Sequence, residues 1–565
     1  MASITLAHAI GTVVAAVILA GTAATAQSPK FFRDDPITRE PDPEDASGAQ
    51  VQDVALTYDL SYNLLVTSGR QPSNRRARNI NTVDEVPDSS WFTNRIGSRP
   101  VSADELRRGA SVGAAPAPEE WVVIREKSSG YAPGFTARDA SGETWFISFD
   151  PPSNPSGATA ALVIASRLFW ALGYNQVETF LTTVDPRRLT IHPEATVRRP
   201  NGDRTPFTRG DLDAVLERAA RNPDGTYRAV AARQLGGRVL GPFRYEGTRP
   251  DDPNDIVPHE ERRELRALRV FGAWTNLTDL KAGNTLDSLE TVNGKGVIRH
   301  YLQDVGSTFG IGANGPHDWD EGWEYFYEGG PTLKRLLTLG FGLSPWQTVP
   351  YGKYRSVGRF EGERFDPTTW KPHTPTTAYM DMRADDAFWA ALRVMAFSDE
   401  LIRAAVATGQ FTEPGAEQYL SDVLIARRDV IGRAYLVAIN PIVNPALAAS
   451  GEIRFGNAAV QHGFAEPPAS YKAVWSTFDN ATGTTTLIGE SEGREPSLPA
   501  PAAFGTASAQ FVRVDLSAVS AAHRSWAHPV SAYFRRDGGG WTLVGLERQP
   551  DGVSAAAGRA RETSR

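Results

Sequence analysis

At 565 residues the chain is too long for one compact core, because domains usually run to about 100–200 residues, so three or four units are expected. Apolar residues make up 41% and charged residues 22%, with 13 Trp and 25 Phe, which excludes global disorder. A formal net charge of -7 lacks the basic footprint of a nucleic-acid binder, and the absence of Cys removes disulfides and thiolate metal sites.

The first 26 residues carry no Lys, Arg, Asp or Glu, hold an apolar run over 9–20 and end in Ala24-Thr25-Ala26 before Gln27. This predicts a signal peptide cut after Ala26, and hence export to the periplasm or cell surface of a bacterium. No later segment approaches the length of a transmembrane span, so none is expected after cleavage. Residues 28–48 are rich in Pro, Asp, Glu and Arg and read as an extended arm without a core. Over 51–109 short apolar stretches alternate with turn formers, as in an ordered wrapping segment, and 109–118 reads as an Ala/Gly/Pro linker.

A compact β pattern follows, with strands over 121–125, 135–138 and 144–149 and a turn at Asp139-Ala-Ser-Gly142. Beyond the Pro-rich 151–155, Leu162, Ala165, Phe169 and Leu172 recur at helical spacing over 158–172. Residues 183–247 mix strand-like and helical pieces, and the prolines of 249–255 make a rigid loop. Leu265, Leu268, Phe271 and Trp274 mark a buried helix that delivers the chain to Asp279, while strand-like 297–302 leads into Asp304. Amphipathic helices are predicted over 385–395, 399–407 and 416–437. After Asn440-Pro441 the character changes to short strands near 471–475, 484–488, 511–515, 530–534 and 541–546, with a hairpin at Asp537-Gly-Gly-Gly540. The tail from 550 is small and polar.

The run that proposes a reaction is Asp-Leu-Lys-Ala-Gly-Asn at 279–284, followed by Asp304-Val-Gly306. Either alone is a common turn sequence, but each stands after the secondary element that a phosphotransfer loop requires. Together with Gly-Tyr-Ala-Pro-Gly-Phe at 130–135, Phe-Asp-Pro-Pro at 149–152 and Ala-Leu-Gly-Tyr at 171–174, they resemble the protein-kinase-like superfamily over about 121–440. The likeness is to bacterial HipA-type kinases and uncharacterised exported bacterial kinase-like proteins in particular.

That resemblance implies an α+β fold with a two-lobed protein-kinase-like core. Residues 119–262 would form a small β-rich lobe with an insertion, and 263–440 a helical large lobe carrying the Asp/Asn/Asp loops. A wrapping segment over 27–118 would precede them, and a β-sandwich-like C-terminal domain over 441–549 and a flexible tail over 550–565 would follow. It further implies Mg2+ and ATP as cofactors. Asp279 would orient the acceptor hydroxyl and Lys281 would neutralise phosphate charge; Asn284 and Asp304 would hold the metal, and Gly130 and Gly134 would cover the nucleotide.

One departure bears on activity. Kinases place a phosphate-gripping Lys on the third strand, paired with a Glu on the next helix, but here Ser148 stands on that strand and 158–172 has no acidic residue. Lys127, Arg138, Arg228 and Arg233 are the candidate substitutes. Two functions therefore stand side by side: an exported Mg-dependent kinase acting on an unknown acceptor, or a catalytically silent pseudokinase serving as an envelope binding or structural protein. Elsewhere, Gly109-Ala-Ser-Val-Gly113 and Gly310-Ile-Gly-Ala-Asn-Gly315 match hydrolase and dinucleotide patterns in the wrong structural context. Residues 318–327 interleave acids with aromatics, which reads as an amphipathic loop with its rings packed inward.

Overall fold

The computed structural model describes residues 28–550 apart from 118, 128–131, 200, 339–343, 352 and 507–508. The predicted signal peptide, Gly130 and the tail from 551 lie outside the described residues. Among the described residues no helix is long and apolar enough to cross a membrane.

The fold is α+β. Two short helices, α1 (Leu56–Leu65) and α2 (Ala103–Arg108), precede a seven-stranded sheet. Its strands are β1 (Trp121–Glu126), β2 (Gly134–Arg138), β3 (Thr144–Phe149), β4 (Thr179–Val184), β5 (Leu189–Arg198), β6 (Arg204–Pro206) and β7 (Tyr227–Arg233), in the order β4-β7-β3-β2-β1-β5-β6. Helices α3 (Ala158–Leu172) and α4 (Arg209–Glu217) lie between these strands in sequence. Alternation along β1, β2 and β3 turns Trp121, Val123, Phe135, Ala137, Trp145, Ile147 and Phe149 to one face, which Leu212 and Leu216 of α4 close. Helix α3 belongs instead to the larger core. It starts where the Asp150 carboxylate accepts from the Thr159 amide at 2.8 Å, and it stops at Gly173, whose φ of +118° and contact with the Phe92 ring leave no room for a side chain.

A second sheet pairs β8 (Arg238–Gly241), β9 (Thr285–Val292) and β10 (Lys295–Leu302) in the order β10-β9-β8, with α5 (Arg263–Thr275) between β8 and β9 in sequence. The first half of α5 buries Arg263 and Arg266 completely; Arg263 reaches Asp84 at 3.0 Å, Asp386 at 3.0 Å and Asp385 at 3.4 Å. Buried charge of this kind survives only when paired. Asn276, left-handed at φ 55°, ends α5 and turns the chain toward Asp279. After the two-residue strands β11 (Ile311–Gly312) and β12 (Gly315–Pro316) come α6 (Gly329–Leu337), α7 (Thr377–Met380), α8 (Ala384–Met395), α9 (Asp399–Ala407) and α10 (Ala416–Tyr435).

The remaining strands are β13 (Ile442–Leu447), β14 (Glu452–Asn457), β15 (Ser470–Phe478), β16 (Thr485–Gly493), β17 (Ser497–Pro499), β18 (Phe511–Val519), β19 (Val530–Asp537) and β20 (Gly540–Glu547), with α11 (Ala458–Gln461) after β14. They form a three-stranded sheet β13-β14-β17 and a five-stranded sheet β16-β15-β18-β19-β20. Trp475, Val514 and Ala532 share one continuous core with Phe388 and Ile431 of the helices. The 28–48 arm, expected to carry no core, does carry one: Phe31 packs among Phe478, Phe511 and Tyr533, and Ala46, with Ala49 just past the arm, packs against Leu240 and Ile298. Its polar composition hid the few apolar anchors that a long segment needs to dock.

Candidate functional site

The two loops singled out by sequence meet because of one hairpin. Strands β9 and β10 pair antiparallel from Thr285↔Leu302 to Val292↔Lys295 around a turn at Asn293 (φ 51°) and Gly294 (φ 80°), an Asn-Gly pair suited to a type I′ turn. Asn284 directly precedes the first paired residue and Asp304 follows the last, so the open end of the hairpin brings them together. The Gln303 and Asp304 amides donate to the Asn284 carbonyl at 3.0 and 3.1 Å. On its other side, Asn284 Nδ2 donates to the Asp279 carbonyl at 2.8 Å. Asp279, Asn284 and Asp304 are therefore linked, the first pair through the Asn284 side chain and the second through the backbone. The Asp304 carboxylate is exposed and accepts from the Gly306 amide at 3.0 Å. Lys281 is drawn to Asp279, Nζ to Oδ2 at 2.7 Å.

Sequence reasoning missed the helix that covers this loop. α1 turns its polar side inward: Asp59 and Asn63 are buried, while Leu56, Tyr58 and Leu65 are 48%, 64% and 67% exposed. The Asp59 carboxylate takes a hydrogen bond from the Ala282 amide and lies 3.4 Å from Arg244. Burial pushes its pKa above the ordinary carboxylate value, against the pull of Arg244. Beside it, burial and the charges of Asp279 and Asp59 hold the Tyr245 hydroxyl firmly protonated. No apolar periodicity marks this helix as inward-facing, so pattern reading alone points its wrong side at the core.

The structure sorts the four cations that could replace a third-strand Lys. Arg228 is engaged by the Thr159 hydroxyl at 2.8 Å and by the Gly409 and Gln410 carbonyls. Arg233 is held by Glu178 at 2.6 Å and Glu143 at 3.2 Å, and its guanidinium stacks over Trp145. Arg138 is exposed at the end of β2. Lys127, just past β1, is the one coupled to the candidate site: burial lowers its ammonium pKa while the Asp304 charge pulls it back up. Ser148 sits on β3 opposite Gly134 of β2 and Val230 of β7. Gly134 opens β2, and a Cβ there would stand 2.2 Å from the Ile147 carbonyl oxygen, so close strand packing by itself requires glycine.

A second group joins the site from the segment after Asp304. Ser307 Oγ lies 2.9 Å from His317 Nε2, His317 Nδ1 lies 3.5 Å from Glu321 Oε2, and the Thr278 hydroxyl donates to that same Oε2 at 2.5 Å. Burial lowers the His317 pKa against the pull of Glu321 and Asp279. Burial raises Glu321, but His317, the Thr278 hydroxyl and the Asp318 amide outweigh it and hold the carboxyl below its usual range. Nothing in the spacing of Ser307, His317 and Glu321 announced this contact. The exposed Trp319 and Phe326 show that the 318–327 rings do not all pack inward. Ser111, in the hydrolase-like pattern, is buried with its hydroxyl donated to the Thr179 carbonyl at 3.0 Å.

Among the described residues no three His, Cys, Asp or Glu side chains converge as a metal-binding group. The oxygens of Asn284 and Asp304 nevertheless suit a hard dication that keeps water and phosphate as its other ligands, the usual habit of Mg2+. No protein-family profile and no curated protein matches this sequence. Among solved structures, the chain is similar to a Golgi casein kinase at 10% identity and a TM-score of 0.28, over 71% of this chain and 96% of that one. A second structure of the Golgi casein kinase, with Mn and ADP bound, matches at 9% identity and a TM-score of 0.30, over 70% of this chain and 94% of that one. Likeness at this level carries no weight for chemistry, which rests on the residues above.

Proposed function

We propose that the chain is a kinase-like phosphotransferase that moves the γ-phosphate of ATP to a hydroxyl acceptor, with Mg2+ held by Asn284 and Asp304. The observation that carries this reading is the hairpin closure that links the three residues: the Asp304 amide donates to the Asn284 carbonyl, and the Asn284 side-chain amide donates to the Asp279 carbonyl. Phosphoryl transfer asks a protein mainly for position and charge. Asn284 and Asp304 would hold the ion, which would supply positive charge against the phosphates. Asp279 would orient the incoming hydroxyl, with Lys281 beside it. Lys127, not a third-strand Lys, would meet the phosphates, because its ammonium is held poorly solvated near Asp304 and gains a partner when they arrive. In this reading the β1–β7 sheet and the α5–α10 helices are the two lobes, the C-terminal strands make a sandwich-like domain, and the protein works in the periplasm or at the cell surface of a bacterium.

Ser148 on β3 favours a second reading, a catalytically silent pseudokinase acting as an envelope binding or structural protein. A thermal-shift assay with ATP, with and without Mg2+, separates the two. Stabilisation that needs both and disappears in Asp304→Ala supports phosphotransfer. No response of the natural sequence to nucleotide or metal sinks it in favour of the pseudokinase.

A further inference from the structure

Ser307 is three residues beyond Asp304, half-buried, with its hydroxyl on the His317 imidazole at 2.9 Å. His317 is buried, and its far nitrogen faces the Glu321 carboxylate at 3.5 Å. Glu321 is tied back through Thr278, the residue immediately before Asp279. A hydroxyl, an imidazole and a carboxylate thus stand in order at the edge of the Asp279 and Asp304 loops, with His317 Nδ1 and Glu321 at ion-pair distance and not hydrogen-bonded. A Cβ at Gly312 would stand in contact with Ser307 Oγ and His317 Cδ2, each at 3.7 Å, so glycine keeps a side chain off the pair there.

We propose that Ser307 is itself a phosphoryl acceptor of this site, with His317 as the base that takes its proton, an inference that rests on the phosphotransfer reading above. The new bond joins Ser307 Oγ to the γ-phosphorus of ATP, the bond from that phosphorus to the bridging oxygen breaks, and ADP leaves with the electron pair. The hydroxyl proton passes to His317 Nε2. Burial keeps the imidazole neutral and so able to accept, and Glu321 and Asp279 then stabilise the imidazolium that forms. Ser307 is chosen over other hydroxyls of the site for a geometric reason. Thr278 is fully buried and already donates to Glu321, whereas the Ser307 hydroxyl bonds to a base and is reachable. A phosphate at Ser307 would add about two negative charges beside Asp304 and Asp279, disfavouring a second ATP and limiting the modification to one per chain.

The test incubates the full chain with γ-labelled ATP and Mg2+ or Mn2+, follows ADP release and locates phosphate by mass spectrometry. The expected result is up to one phosphate per chain, on Ser307. Ser307→Ala removes it while the metal-dependent ATP thermal shift persists, Ser307→Thr restores it on Thr, and His317→Gln slows it at least tenfold. Metal-dependent ATP binding with no phosphate on Ser307, or with phosphate only elsewhere, overturns this inference and leaves the phosphotransfer reading standing. Loss of the ATP response in the natural sequence removes both.

Discussion

Replacing Lys127 by Met separates a functional cation from a structural one, because the two roles move stability in opposite directions. Burial holds the Lys127 ammonium below its ordinary pKa, with Asp304 only partly restoring it. A lysine whose folded-state pKa is lowered costs stability at every pH below that window, since the unfolded chain holds the proton more readily than the fold does. The cost is whole below the folded-state pKa and fades as pH rises to the ordinary lysine value. Lys127→Met keeps the aliphatic stem and removes the charge, so the ligand-free protein should melt at the same temperature or higher. Nucleotide binding should suffer instead. A hydrogen bond to a charged group contributes about 1.5–3 kcal/mol, or roughly 10- to 150-fold in Kd. With ATP at about 100 times the Kd of the natural sequence, binding stabilises by about 2.7 kcal/mol, and a hundredfold weaker variant keeps only about 0.4 kcal/mol. For a cooperative unit of about 150–250 residues, with about 2–4 °C per kcal/mol, the ATP-induced shift falls from about 5–11 °C to about 1–2 °C. Differential scanning fluorimetry with Mg2+ and an ATP series reads both numbers. A ligand-free melting temperature that drops, with the ATP shift intact, would refute the assignment and make Lys127 a structural partner of Asp304.

Three further outcomes follow from the packing and charge of the molecule. Gly134→Ala sets a Cβ against the Ile147 carbonyl at 2.2 Å and should cost about 1–3 kcal/mol in denaturant unfolding; if Gly134 serves only to cover nucleotide, ATP affinity will change with stability unaltered. Arg263→Met leaves Asp84, Asp385 and Asp386 facing one another with one cation fewer and should cost about 3–5 kcal/mol at neutral pH, and a loss below about 1 kcal/mol would show that Arg266 suffices. Burial would raise Asp255, but the hydrogen bond from His259 and the charges of His259, His300 and Arg262 bring its pKa down to about 2. Its folded-state pKa lies below the unfolded value, so its contribution is whole above about pH 4 and fades as pH falls toward 2. Melting curves of Asp255→Asn should be flatter than those of the natural sequence across that interval, and parallel curves would contradict the assignment.

Periodicity was enough to place α3, α5 and the helices from α8 to α10, because each buries a continuous apolar stripe whose spacing survives in the sequence. The strands from β1 to β3 and from β18 to β20 were legible for the same reason, helped by turn residues such as Gly538. The order Asp279, Asn284, Asp304 was legible too, but their meeting was not: only 297–302 read as a strand, and the pairing register around Asn293-Gly294 that returns residue 303 to residue 284 appears in the structure. Other features depended on contacts between segments far apart in the chain. α1 faces inward with Asp59 and Asn63 because the Ala282 amide and Arg244 await a partner there, a polar demand that a hydrophobic pattern does not encode. Lys127 and Ser307 carry no motif, and they become chemical groups only when β1 passes near Asp304 and His317 folds back onto the loop. Local spacing thus determined which elements form and which acids lie on loops. Tertiary packing decided which cation, hydroxyl and base surround those acids, because desolvation and charge act across space without regard to distance along the chain.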